Sequence, residues 1–329
     1  MNMKELVDRF PTQLIEALSI AQSKAFKPSK HAIHNIVVSG LGGSGIGGSI
    51  VAEILSDSLK VPFYVNKDYS IPAFVGKNTL FIASSYSGNT EETLAALEKA
   101  INAGAEIACI TSGGKVLEMA KENDFNYLQV PGGMPPRSCL GYSMVQLMGI
   151  VSNYQLTDYP CLEKVSASID LLIAEKESIQ TQAGQLADFL MDRMPILYTS
   201  SGLEGIAVRL RQQLNENSKV LCWHHIIPEM NHNELVGWTT PNHQLAVVYL
   251  RSKNEYTRTA ERIEFLQKII ANYTPHQLNL FSKGNSVIEE AFYLIHLCDW
   301  SSVYLAEKRN VDAMDIDIIN RLKDHLSTF

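Results

Sequence analysis

The 329-residue chain is 46% hydrophobic and 19% charged, with 20 Gly and 12 Pro, the profile of an ordinary globular protein, which excludes a fibre or a disordered tail. At about 150 residues per domain, its length suggests two domains, each with its own core. A balance of 28 Lys and Arg against 35 Asp and Glu leaves a net charge of −7, so no nucleic acid is expected as a partner.

Five cysteines, Cys109, Cys139, Cys161, Cys222 and Cys298, form no C-x-x-C pair and mostly sit among apolar neighbours, as small core residues in a reducing cytoplasm would. The opening stretch from Met1 to Pro11 is charged and amphipathic, and no apolar run reaches the roughly 18 residues of a membrane span. Neither export nor membrane insertion is expected.

After an N-terminal helix, short β-branched runs alternate with stretches of helical period, the pattern of βαβ units and a parallel sheet. The expected strands are Asn35 to Ser39, Val61 to Val65, Thr79 to Ser84, Glu106 to Thr111 and Tyr127 to Val130. A Gly/Pro cluster, Pro131 to Pro136, marks a functional loop or domain edge before a helix over Gly141 to Val151. From Cys161 to about Met191 the spacing is helical throughout, one long helix or a pair. A second set then begins with a strand at Pro195 to Thr199 and a helix at Leu203 to Leu214. It continues with a strand at Leu245 to Leu250, a helix at Tyr256 to Ala271, a strand at Gln277 to Phe281 and two C-terminal helices. The expected domains are residues 1–152, a helical linker over 153–192, and residues 193–329. Both Val37 to Gly43 and Leu197 to Gly205 run from a strand through small residues into a helix, a weak sign of duplication.

Gly40-Leu41-Gly42-Gly43-Ser44-Gly45 follows a strand and opens a helix, so its backbone N–H groups can close on an anion. The same glycines fit a G-x-G-x-x-G dinucleotide loop, with Asp68 as a displaced acidic partner, or simple close packing of helix on strand. A second loop, Ser84 to Glu92, ends the third strand in the crevice where open α/β sheets bind ligands, and Ser85, Ser87 and Thr90 add hydroxyl donors suited to a phosphate. Its plain alternative is an ST-turn and helix cap. Cys222, His224, His225 and His232 fit no zinc spacing, and no metal is expected.

Ser85-Tyr86-Ser87-Gly88-Asn89-Thr90-Glu91-Glu92-Thr93, behind the glycine loop ending in Gly43-Ser44, resembles the sugar isomerase (SIS) domain, whose members bind phosphosugars. Pro136 to Ser143, Gln213 to Lys219, and Pro228 to Trp238 with its Asn-His-Asn-Glu block together resemble the bifunctional phosphoglucose/phosphomannose isomerase family, in order and over nearly the whole chain. The resemblance implies two doubly wound, flavodoxin-like SIS domains with helices on both faces, plus N-terminal, linker and C-terminal helices. It implies a cytoplasmic homodimer of glycolysis and gluconeogenesis, with a phosphosugar substrate and no cofactor. Gly43, Ser44, Ser85, Ser87 and Thr90 would then hold the phosphate and Glu216 would be the base. Arg137 would stabilise an enediolate, His232 would serve ring opening from across a subunit interface, and Lys323 would assist it. Asp312-Ala313-Met314 stands where many members carry Pro-Thr.

Aldose–ketose interconversion needs a base to remove a weakly acidic C–H proton beside the carbonyl and return it next door, a task one carboxylate can perform. Arg supplies a permanent charge for the developing anion, and imidazole trades protons near neutral pH. A sugar-phosphate sensor on the same domains is the rival reading, although no helix-turn-helix segment or basic stretch accompanies them.

Overall fold

β-Branched runs and intervening amphipathic stretches resolve, in a computed structural model that describes residues 1–326 and 328, into alternating strands and helices. They are α1 (Met3–Asp8), α2 (Phe10–Gln22), β1 (Asn35–Ser39), α3 (Gly42–Ile54), β2 (Phe63–Asn66), β3 (Thr79–Ser84), α4 (Glu91–Asn102), β4 (Glu106–Thr111), α5 (Gly114–Glu122), β5 (Asn126–Gln129) and α6 (Leu140–Asn153). Then follow α7 (Cys161–Ala174), α8 (Lys176–Leu190), β6 (Met194–Ser200), α9 (Glu204–Glu216), β7 (Trp223–Ile227), β8 (Leu245–Arg251), α10 (Thr257–Ile270), β9 (Gln277–Phe281), α11 (Val287–Lys308) and α12 (Asp317–Leu326).

One compact unit comprises Arg9–Ala174 with Gly284–Phe292, and the other Met1–Asp8, Glu175–Lys283 and the residues from Tyr293 on. The first unit's sheet is parallel with order β2-β1-β3-β4-β5, and the second's is parallel with order β7-β6-β8-β9. The shared beginning of the two orders extends the similarity between the halves from local sequence to topology. In the first sheet Val37, Phe81, Ala83, Ile107 and Cys109 pack under Ala96 and Leu97 of α4 and Val116 of α5. Val38, pointing the other way, meets α3 at Gly48, as strand alternation requires. In the second sheet Ile196, Tyr198, Val247 and Tyr249 pack under Ile263, Leu266 and Ile270 of α10.

Three elements depart most from the sequence expectation, and a fourth decides between two readings. β2 starts at Phe63, because Pro62 has no N–H for the ladder and contributes only its carbonyl, to Ile36 N–H. The opening helix is two helices, α1 and α2. The stretch after Cys161 is the pair rather than the single long helix, broken at Glu175, whose backbone leaves the helical region (φ −93°, ψ 7°). β7 was not expected at all, since Trp-His-His-Ile-Ile has no clean alternation and forms an edge strand with a mostly half-buried pattern. Among the described residues no helix is long and apolar enough to cross a membrane.

Candidate active site

β1 and β3 are neighbours with Ser39 opposite Ala83, so the loops leaving their carboxyl ends rise side by side. The glycine loop can turn into α3 only because it is bare: a Cβ on Gly45 would stand 2.4 Å from Gly40 O. Neither α3, preceded by Leu41, nor α4, preceded by Thr90, receives a side-chain cap on its first N–H groups. Two helix N-termini with uncapped amides over adjacent strands make a natural anion seat.

The hydroxyls are arranged around that seat. Ser85 Oγ and Thr90 Oγ1 lie 2.8 Å apart, Gly88 N–H donates to Ser85 Oγ (3.1 Å), and Asn89 N–H donates to Ser87 Oγ (3.2 Å). Gly88 sits at φ +71° with Gly113 O pressed against it, a place no side chain could occupy. Ser44 and Ser85 are buried, Thr90 is half-buried and Ser87 is exposed, so the cradle opens to solvent on one side. The Gly/Pro loop closes in beside it: Met134 N–H donates to the Tyr86 hydroxyl (3.2 Å), and a Cβ on Gly43 would meet Pro136 O at 3.0 Å and Arg137 Cα at 3.7 Å. Arg137 itself, on a 3-10 turn over Pro136–Ser138, is only 4% exposed. The structure therefore brings Gly43, Ser44, Ser85, Ser87, Thr90 and Arg137 to one edge of one sheet.

Glu216 ends α9 in the second unit and is half-buried. The chain after it is held by polar contacts that the sequence did not disclose. Asn217 Nδ2 donates to Ser302 Oγ (2.9 Å), Ser218 Oγ to Ser302 O (2.7 Å), and Arg309 Nε to Ser218 O (3.0 Å). Lys219, at φ +58°, turns back so that its ammonium reaches Glu216 O and Asp315 O (2.9 Å), which offsets a costly backbone conformation. One to two turns upstream Arg209 and Asp299 of α11 form a buried, two-pronged ion pair. The run Asn-Glu-Asn-Ser-Lys was visible as a polar helix end, but its partners on α11 are 85 residues away.

His232 and Lys323 are both exposed. Lys323 lies on α12, which begins just after Asp315 and hence beside the Glu216 turn. His232 ends a 3-10 turn beyond the carboxyl end of β7. Because α9 runs back from the carboxyl end of β6 to the amino end of β7, Glu216 and His232 occupy opposite edges of the sheet, about 20 Å apart along the strand direction. One chain does not bring them together.

The remaining sequence candidates have other roles. His224 Nδ1 lies 3.0 Å from Arg211 and Nε2 lies 3.6 Å from Glu204; burial first, then the Arg211 charge, keep this imidazole below its ordinary pKa. Burial pushes the Cys222 thiol up to about 12, so it is protonated near neutrality. A cavity of about 590 Å³ in the second unit is walled by Ile196, Trp223, Trp238 and Leu245.

Comparison with known proteins meets this geometry from outside. The family described as SIS domain matches residues 31–131, and that described as bacterial phospho-glucose isomerase C-terminal SIS domain matches residues 179–326. The C-terminal domain of a glucosamine-fructose-6-phosphate aminotransferase from Francisella tularensis superposes with a TM-score of 0.76 over 94% of this chain and 96% of that one, at 16% identity, a likeness of fold alone. A bifunctional phosphoglucose/phosphomannose isomerase of Caldicellulosiruptor bescii is 35% identical over 99% of both chains, and one of Aquifex aeolicus is 36% identical over 88% of this chain and 90% of the relative. With two parallel sheets of one strand order, a glycine and hydroxyl cradle on the first and full-length identity at this level, the chain belongs to the bifunctional phosphoglucose/phosphomannose isomerase family.

Proposed function

We propose that this isomerase interconverts glucose 6-phosphate and mannose 6-phosphate with fructose 6-phosphate through a cis-enediolate. The observation that supports it most is the cradle, in which two uncapped helix N-termini, the Ser85–Thr90 hydroxyl pair and the buried Arg137 offer donors and positive charge to a phosphosugar. Gly43, Ser44, Ser85, Ser87 and Thr90 hold the phosphate dianion. Glu216 takes the proton from C2 of the open chain and returns it to C1, and the Arg137 guanidinium stabilises the enediolate oxygens. His232 and Lys323 serve ring opening, at the oxygen that must gain and lose a proton.

The separation of Glu216 from His232 within one chain supports a site completed by the His232 of a second copy, and hence a homodimer. Two substrates follow from stereochemistry. The enediolate is planar at C2, where glucose and mannose differ, and rotation about C2–C3 presents either face to the same base. Nothing in this sequence of proton transfers calls for a metal or redox cofactor.

Incubation of each aldose phosphate in deuterated water tests the proposal: label accumulates at C2 of both, and label in neither refutes it. In the same assay Glu216→Gln loses roughly 10²-fold to 10⁴-fold in turnover while phosphosugar affinity is kept. Unchanged turnover would exclude Glu216 as the base.

A further inference from the structure

A proton-transfer group must be held to within about half an ångström of its target, yet His232 stands exposed on the long connection between β7 and β8. Met230, two residues before it, is buried in the second core and anchors one side. On the other side, two residues after it, lies Glu234. Glu234 Oε1 accepts the Tyr198 hydroxyl of β6 (2.5 Å) and the Trp223 indole N–H of β7 (3.1 Å). Trp238 N–H, from further along the same connection, donates in turn to the Tyr198 oxygen (3.2 Å). Between the two anchors Asn233 braces the turn, its amide donating to Glu229 (2.9 Å) and its carbonyl accepting Glu234 N–H (2.6 Å).

We propose that Glu234 is a positioning residue: its carboxylate clamps the His232 turn to β6 and β7 and so sets the imidazole for ring opening. The inference rests on the isomerase reading above and adds a residue to which no role has been given. A carboxylate suits the task because one oxygen can take two donors, and charge-assisted bonds are stronger than neutral ones. Tyr198 suits it because burial, with the neighbouring Glu234 charge, raises its pKa and keeps it protonated, while its ring is fixed against Tyr249 with centroids 5.9 Å apart. The clamp acts only through His232, so it governs ring opening and leaves the proton transfer by Glu216 alone.

That separation supplies the test. Fructose 6-phosphate must be opened before its C1 proton can exchange, whereas its 5-deoxy analogue has no hydroxyl able to close a ring and is always acyclic. C1–H exchange with deuterated water is followed by NMR on both compounds for the wild type, Glu234→Ala, Glu234→Gln and Tyr198→Phe, with far-ultraviolet circular dichroism and thermal unfolding confirming the fold. Glu234→Ala is expected to lose roughly 10²-fold on fructose 6-phosphate, the scale of an ångström's misplacement. On the acyclic analogue it stays within about threefold of wild type, because no ring needs opening. Glu234→Gln, which keeps the acceptor oxygen, recovers most of the loss, and Tyr198→Phe, which removes one donor and leaves the core intact, falls between them. Equal losses on both compounds, or no loss on fructose 6-phosphate in Glu234→Ala and Tyr198→Phe, would overturn the clamp. Failure of the wild type to exchange either compound would instead remove the isomerase reading, and the clamp with it.

Discussion

Replacing Asp299 with Asn keeps the side chain's shape and removes its charge, leaving the Arg209 guanidinium buried without its carboxylate. Arg209 Nε donates to Asp299 Oδ1 at 3.1 Å and Nη2 to Oδ2 at 2.8 Å, with the two side chains only 1% and 9% exposed. Two charge-assisted bonds at about 1.5–3 kcal/mol each, and the roughly 3–5 kcal/mol typical of removing one partner from a buried pair, point to the same range. Asn retains one acceptor, so the expected loss is about 3 kcal/mol, or roughly 6–12 °C in Tm for a unit of this size. Trp223, Trp238 and Trp300 are the chain's 3 tryptophans and all lie in the second unit, so indole emission during urea unfolding reports that unit alone. Arg209→Met combined with Asp299→Leu should recover much of the loss by replacing the pair with apolar packing. A shift below about 0.5 kcal/mol for Asp299→Asn, or strictly additive losses in the double variant, would refute the reasoning.

The cradle predicts that Ser85→Ala raises KM for the hexose phosphates roughly tenfold with a smaller change in kcat, since a donor to a dianion is lost in ground and transition states alike; steady-state kinetics checks this, and an unmoved KM counts against the assignment. Mixing inactive Glu216→Gln and His232→Ala chains should restore activity to about a quarter of wild type if each site takes its base from one copy and its imidazole from the other. No recovery after subunit exchange would place both groups in one chain's site. For His296, burial outweighs the opposing charge of Asp8 and, with a smaller push from Lys176, lowers its pKa to about 3. The native state therefore refuses a proton that the unfolded chain accepts near pH 6.5, and stability is present above that pH and falls by up to about 1.4 kcal/mol per unit as the pH drops towards 3. Urea midpoints for wild type and His296→Gln should show a smaller acid slope in the variant, and parallel slopes would exclude this histidine as the cause.

Much of the fold was legible because its signals are local. Asn35 to Ser39, Thr79 to Ser84 and Glu106 to Thr111 are short, mostly apolar runs, Gln277 to Phe281 alternates polar and apolar residues, and the strands have those bounds. Strands buried on both faces announce themselves by composition, whereas the edge strand β7 mixes Trp and His with Ile, and its histidines were weighed only as metal ligands. A helix pair after Cys161 was an open reading, but the break could not be placed at Glu175 because neither Gly nor Pro marks it. The cradle was legible too, because its glycines and hydroxyls follow strands that could be placed.

What the sequence by itself determined was the set of chemical groups and the two parallel-sheet scaffolds, since periodicity and turn residues act over a few positions. Tertiary structure alone decided which groups meet. It joined Asn217 and Ser218 to Ser302, seated Arg137 beside Gly43, and tied Glu234 to Tyr198 and Trp223. It also set Glu216 and His232, sixteen positions apart in sequence, on opposite edges of one sheet. The reason is the crossover itself, in which a helix returns the chain the full length of a strand before the next strand begins, so nearness in sequence becomes distance in space.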